Sequence, residues 1–250
     1  MIYFIGAGPG DPDLITVKGK KKLEEADVII YAGSLVNKEL LKYAKQSCKI
    51  YNSAEMDLEQ VLEVMSSEHG QDKCIVRLHT GDPSIYGAIR EQMDELDKKG
   101  MSYEVIPGVS SFCAAAAALK KEYTLPGVTQ TVILTRMEGR TAVPGYESIE
   151  ALASHKATMI IFLSVHMIGE LAERLKKGYG KDTPVAVVYK ASWPEQKIIR
   201  GTLETIEGMV KEEAVRKTAL VVVGDFLGDD YQLSKLYDKT FTHEFRSARE

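Results

Sequence analysis

Two hydrophobic rhythms alternate along the chain. Short apolar-rich runs at residues 1–5, 28–31, 49–51, 74–76 and 103–106 read as strands, the one at 74–76 as a buried strand. Between them, apolar side chains return every three or four positions over 15–26, 35–44, 58–65, 88–96 and 113–119, the spacing of amphipathic helices. Strands that alternate with helices in this way predict a mostly parallel sheet covered on both faces. A polar stretch at 120–127, containing Pro126-Gly127, reads as a linker. A second series follows, with strands at 131–134, 158–163, 185–189, 197–202 and 219–224 and helices at 168–177 and 203–215. Gly178 and Gly180 stop the first of these helices. Residues 191–195 can turn the chain back, which would make the 197–202 strand antiparallel to its predecessor. The fold expected is therefore α/β in two domains, 1–118 and 119–250, the first sheet mostly parallel and the second mixed. The tail at 225–250 lacks periodicity and is expected to lie over the surface or across a partner.

The loops after the strands carry the candidate chemistry. Residues 77–87 form a strand, tight loop and helix around Thr80-Gly81-Asp82-Pro83. Asp82 stands where a helix N-cap belongs, and Pro83 fits a first helical turn. In open α/β sheets, ligands bind in the loops beyond the carboxyl ends of strands, and Gly81 offers close approach to the main chain. Capping and ligand contact are both open for Asp82. The first loop, Gly6-Ala7-Gly8-Pro9-Gly10-Asp11-Pro12, imitates a dinucleotide fingerprint but has Asp11 where the third glycine belongs. Pro9 and Pro12 also block a helix start at the pyrophosphate position, so a nicotinamide-dependent oxidoreductase is disfavoured.

Composition narrows the partners. The chain has 250 residues, 44% apolar and 27% charged, an ordinary globular balance with ample core material. A net charge of −4 gives no field for nucleic acid, so an anionic substrate must meet a local basic patch. Lys18, Lys20, Lys21 and Lys22 read as a solvated helix face. Cys48, Cys74 and Cys113 are too scattered for a disulfide framework or a zinc site. They are expected to be buried free thiols in a reducing cytoplasm, with no bound metal. No apolar run is long enough to span a membrane, and the amino terminus enters a strand without an export signal.

Three ordered segments carry a resemblance. Gly6-Ala7-Gly8-Pro9-Gly10-Asp11-Pro12-Asp13-Leu14-Ile15-Thr16, Thr80-Gly81-Asp82-Pro83 and Pro107-Gly108-Val109-Ser110-Ser111 are similar to the successive motifs of the tetrapyrrole methyltransferases. Three more resemble the branch that methylates carbon 11 of precorrin-4 in cobalamin biosynthesis. These are Met137-Glu138-Gly139-Arg140-Thr141, Tyr189-Lys190-Ala191-Ser192-Trp193-Pro194-Glu195 and Ser234-Lys235-Leu236-Tyr237-Asp238. The resemblance covers essentially the whole chain. It implies a cytoplasmic homodimer of two-domain α/β subunits that is not Rossmann-like, with S-adenosyl-L-methionine folded into the cleft between the domains and leaving as S-adenosyl-L-homocysteine.

Carried over by residue, the resemblance implies a donor pocket of Pro9, Thr80, Gly81, Asp82, Ile85, Ser110, Ser111 and Phe112 in the first domain. The second domain is expected to add Leu163, Ser164, Ala191, Thr218, Ala219 and Leu220; Leu163 and Ser164 depart from relatives that place methionine nearby. The acceptor, an electron-rich ring carbon of an acidic macrocycle, brings its own nucleophile. No Ser-His-Asp or Cys-His set is then needed, and alignment carries the reaction. Asp82, Glu138 and Arg140 are the candidate catalytic residues, with Arg136, Arg140 and Lys190 as substrate contacts, because guanidinium groups grip carboxylates in pairs. A surface ion pair between Glu138 and a flanking arginine is the plainer alternative. Arg200, His79 and His166 are weaker candidates, and Trp193 is expected to pack at the rim of the cleft. The rival functions are another tetrapyrrole methyltransferase, such as uroporphyrinogen-III C-methyltransferase, and a non-catalytic tetrapyrrole-binding module.

Overall fold

The computed structural model describes residues 1–69 and 73–249. Two compact units emerge: Met1–Ala115 together with Lys190–Gln196, and Ala116–Tyr189 together with Lys197–Glu250.

In the first unit, β1 (Ile2–Gly6), β2 (Val28–Tyr31), β3 (Lys49–Asn52), β4 (Ile75–His79) and β5 (Tyr103–Ile106) form one sheet in the order β3-β2-β4-β1-β5. Every pairing in it is parallel. Both faces of the central strands are covered, which is why β1, β2 and β4 read as apolar runs, whereas the edge strands β3 and β5 are partly exposed. Ile5, Ile29, Val76 and Leu78 pack with Leu23 of α1 (Val17–Glu25) on one face. On the other, Ile2, Phe4, Ile30 and Ile75 meet Val61, Leu62 and Met65 of α2 (Leu58–Glu68) and Leu96 of α3 (Arg90–Lys98). Thr16 caps α1 through the Gly19 N–H, and Asp57 with Gln60 closes a capping box on α2. α4 (Ser111–Leu119) carries the chain onward into the second unit.

Several expectations need correction. The helix after the central loop starts at Arg90 rather than at Pro83, because Tyr86 and Ala88 hold φ of 55° and 50° and cannot continue a right-handed helix. Asp82 therefore caps no α-helix. Residues 35–44 make only a tight 3₁₀ segment, Lys38–Tyr43. All three thiols are free, but none is buried: Cys48 and Cys74 are half-covered and Cys113 is exposed.

In the second unit, β6 (Val132–Arg136), α5 (Ile149–Ala153), β7 (Thr158–Phe162), α6 (Ile168–Lys176), β8 (Pro184–Tyr189), β9 (Lys197–Thr202), α7 (Ile206–Glu212) and β10 (Ala219–Val223) follow in order. The sheet order is β6-β7-β10-β8-β9. β6 and β7 run parallel; the remaining pairings are antiparallel, including the expected return of β9 along β8. The sheet is thus mixed. Ile149, Leu171, Leu175, Ile206 and Val210 bring α5, α6 and α7 onto its core. The five-residue α5 is too short for periodicity to reveal; Ser148 caps it through the Ala151 N–H. In the tail, Leu233, Tyr237 and Phe245 remain more than 80% exposed. Among the described residues, no helix is long and apolar enough to cross a membrane.

Candidate active site

The sheet order of the first unit makes its three motifs neighbours. β4, β1 and β5 lie side by side and parallel, so the loops beginning after Gly6, His79 and Ile106 leave one edge together. There they cross at glycines. Gly8 and Gly81 form an antiparallel bridge, with the Gly81 N–H donating to Gly8 O at 2.9 Å and the Gly8 N–H to Gly81 O at 3.3 Å. A Cβ on Gly6 would lie 2.5 Å from both Gly108 Cα and Gly81 O, and one on Gly108 would run into Gly81 O. Gly81 holds φ of 61°, and a Cβ there would sit 3.6 Å from Ser110 Cα and Ser111 N. Thus the second loop lies against the turn that opens α4.

Asp82 locks this crossing. Its Oδ2 accepts from the Gly108 N–H at 2.9 Å, while its Oδ1 accepts from the Ser84 N–H at 2.8 Å and from the Ser84 hydroxyl. Partial burial would by itself raise its pKa, but these three donors outweigh it and hold the carboxyl below its ordinary range. Its visible work is to tie the second loop to the third. Thr80 contributes a different feature: its Oγ1 is buried and has no partner among the described residues. Ser110 is buried, and its carbonyl accepts the Cys113 N–H at 3.0 Å in the first turn of α4.

The first loop is pinned by its main chain. Asn37 Nδ2 donates to Gly10 O at 2.8 Å, the Trp193 indole N–H donates to Pro9 O at 2.9 Å, and the Asp11 N–H donates to Ser192 Oγ at 3.0 Å. A Cβ on Gly10 would collide with the indole. Trp193 is therefore a packing residue against the first motif, within the unit to which Lys190–Gln196 belongs. Ala191 is buried beside it in sequence. Lys190 lies over the Trp193 ring at 5.2 Å and 3.6 Å from Glu195, so its ammonium is already engaged. Sequence reasoning missed Asn37 and Ser192. A lone asparagine carries no signal, whereas Ser192 lay inside a quoted motif without an assigned role.

The second unit gathers its candidates at one sheet edge. The carboxyl ends of β6, β7 and β8 and the amino end of β10 share that edge, which collects Arg136, Leu163, Ser164, Thr218 and Ala219. Leu163, Lys190 and Thr218 all adopt positive φ, of 55°, 46° and 56°, a costly backbone for residues with a Cβ. Leu163 is 61% exposed, and Leu220 is buried one residue into β10. Ser164 is wholly buried; its hydroxyl donates to Phe162 O at 2.7 Å and accepts from the Met137 N–H at 2.9 Å.

The charged loop after β6 differs from expectation. Arg136 donates to the carbonyls of Met137, Thr141 and Ala142 at 3.0–3.1 Å, so its guanidinium folds its own loop. Glu138 pairs with Arg174 of α6 and with neither flanking arginine. Arg174 also binds Glu150, with Nη2 at 2.8 Å from Oε2. The hydrogen bond from Arg174 lowers the pKa of both acids, that of Glu150 to about 2. Glu138 is consequently an ionised anchor and not poised to donate a proton. Arg140 stays exposed.

The chain resembles known proteins over most of its length. The profile of the tetrapyrrole (corrin/porphyrin) methylases matches residues 1–207. The chain is 59% identical to the cobalt-precorrin-4 C(11)-methyltransferase of Methanocaldococcus jannaschii over 249 residues, 99% of this chain and 96% of that protein. The X-ray structure of a cobalamin biosynthetic enzyme, cobalt precorrin-4 methyltransferase, superposes with a TM-score of 0.89 at 47% identity, covering 91% of this chain and 96% of that one. The Thermus thermophilus uroporphyrin-III C-methyl transferase complexed with S-adenosyl homocysteine gives 0.74 at 28% identity, covering 90% and 92%. With its three crossing loops and this likeness over nearly its full length, the chain belongs to the tetrapyrrole (corrin/porphyrin) methylases.

Proposed function

We propose that this enzyme transfers the methyl group of S-adenosyl-L-methionine to carbon 11 of cobalt-precorrin-4, or of its metal-free counterpart precorrin-4, in cobalamin biosynthesis. The observation that carries the substrate is the 59% identity to a cobalt-precorrin-4 C(11)-methyltransferase across almost the whole chain. The second, structural relative is also named for the cobalt form. Uroporphyrin-III methylation is supported less, by a relative at 28% identity.

The first-unit loops suit a methyl donor. Thr80 offers a buried hydroxyl with no partner among the described residues, and the glycine crossing fixes the loop that carries it. Pro9, Thr80–Asp82, Ile85 and Ser110–Phe112 would hold it, with Ala191 beside Pro9's partner Trp193. Leu163, Ser164, Thr218, Ala219 and Leu220 are proposed as the second unit's contribution. Bound there, the donor supplies an electrophilic methyl on its sulfonium. Asp82 keeps the loops in register, and fixing carbon, methyl and sulfur in line contributes roughly 7–11 kcal/mol to lowering the barrier. Arg140, exposed and without the loop bonds of Arg136, is the leading contact for the macrocycle's carboxylates. Arg136 and Lys190 are secondary contacts. We further propose a homodimer working in the cytoplasm, as the sequence motifs imply. The test is incubation with methyl-labelled S-adenosyl-L-methionine and precorrin-4, with and without cobalt, followed by NMR location of the label. The expected product carries it on carbon 11; a label on any other ring carbon, or none, would overturn the assignment.

A further inference from the structure

Beneath the second motif lies a polar pair inside an otherwise apolar layer. Arg77 and Gln92 are 6% and 5% exposed, on β4 and in the first turn of α3. Arg77 Nε donates to Gln92 Oε1 at 3.2 Å, and its Nη1 donates to Ile30 O at 3.2 Å. Among the described residues, no carboxylate forms an ion pair with it, and burial lowers its pKa to about 10. A buried cation without a counter-ion is unfavourable, and an apolar residue would pack this layer without that cost. The pair therefore calls for a reason beyond packing.

Gln92 supplies one. Its Nε2 donates to Ala88 O at 2.9 Å, the carbonyl of a residue held at φ of 50°. Tyr86, two residues earlier, holds φ of 55°, and a Cβ on the intervening Gly87 would run into Pro83 O. Left-handed backbone at residues bearing a Cβ persists only where the surroundings over-determine it. Residues 83–88 continue directly from the Thr80–Asp82 loop and contain Ile85, whose N–H donates to Asp82 O at 3.2 Å. We propose that Arg77 and Gln92 are positioning residues for the methyl donor, a buried brace holding the strained 83–88 segment, and with it Ile85, in register with Thr80 and Asp82. The brace rests on the reading of that loop as the donor site.

Gln92→Glu tests it, because glutamate still accepts from Arg77 but can no longer donate to Ala88 O. Amide exchange over residues 84–89 should quicken. S-adenosyl-L-homocysteine should bind about two- to tenfold more weakly by calorimetry, the range expected for one lost hydrogen bond. The KM for S-adenosyl-L-methionine should rise by a similar factor, with kcat changed less. Adding Ala88→Gly to that variant should restore much of the affinity, since glycine holds this φ without strain. A role limited to accepting from Arg77 predicts the opposite: Gln92→Glu would leave exchange and affinity unchanged, and Ala88→Gly would rescue nothing. Either result overturns the brace. If Gln92→Glu does not fold, Gln92→Met serves in its place and should show the same faster exchange over 84–89. Failure of the unaltered enzyme to bind S-adenosyl-L-homocysteine would sink the donor reading, while the exchange data would still decide the brace.

Discussion

The motif crossing of the first unit and the charged loop of the second are built by different means. At the crossing, main chain meets main chain: Gly6, Gly8, Gly81 and Gly108 approach so closely that three of these contacts leave no room for a methyl group. In the loop after β6, shape comes from long charged side chains, with Arg136 wrapped by carbonyls and Arg174 shared between Glu138 and Glu150. The first arrangement tolerates almost no substitution and is written in short contiguous motifs. The second joins the local bonds of Arg136 to an ion-pair cluster whose partners stand 24 and 36 residues apart.

Substitutions can break this contrast, starting with the most severe. Gly108→Ala should cost at least about 3 kcal/mol in urea denaturation, since neither Gly81 O nor Gly6 Cα can move aside cheaply. Gly139→Ala, with nothing within 4 Å, should stay within about 0.5 kcal/mol. Equal losses at both sites would erase the distinction. Next, Arg174→Met leaves Glu138, Glu150 and Glu170 without their shared cation and should cost about 2 kcal/mol, between exposed and buried pairs. NMR titration should show the Glu150 pKa rising from about 2 toward 4.5.

Asp82→Asn should come third, at about 1.5 kcal/mol for weakened hydrogen bonds to a charged acceptor. Its pH dependence has a definite sign. The folded pKa lies below the ordinary 3.8, so the stabilisation is complete above that value and is lost as pH falls through the lowered one. The Tm gap between the native enzyme and the variant should be constant near neutrality and close below pH 3.8. A gap that persists in acid would mean that shape, and not charge, ties the loops. The smallest effect is expected from Arg140→Ala, within about 0.5 kcal/mol in stability and without loss of S-adenosyl-L-homocysteine binding. Its consequence should fall on turnover of the tetrapyrrole alone, and equal loss of both would give Arg140 a structural role.

What could be read in advance follows the same divide. The parallel and mixed sheets, and the reversal of β9 along β8, were legible because buried strands leave apolar runs and turns leave proline and glycine. The three motifs were legible as loops, each after its strand. Local chemistry misled at Asp82: an aspartate before proline suggests a cap, yet the carboxylate reaches 26 residues onward to Gly108. Glu138 misled likewise, because adjacent arginines hid Arg174, 36 residues away. Periodicity over 88–96 hid the late start of α3, because apolar spacing is blind to a left-handed φ at Tyr86 and Ala88. Long-range pairing was the missing information in the first two cases and backbone handedness in the third.

The turn at Lys190–Gln196 groups with the first unit, although both strands that lead to it, β8 and β9, group with the second. A gene cut at the linker would yield a leading fragment whose Pro9 carbonyl and Gly10 face had lost the indole that covers them. The first motif's loop and this far-downstream turn accordingly form one structural unit. Neither half of a chain divided at residues 120–127 would keep the first loop's contacts whole.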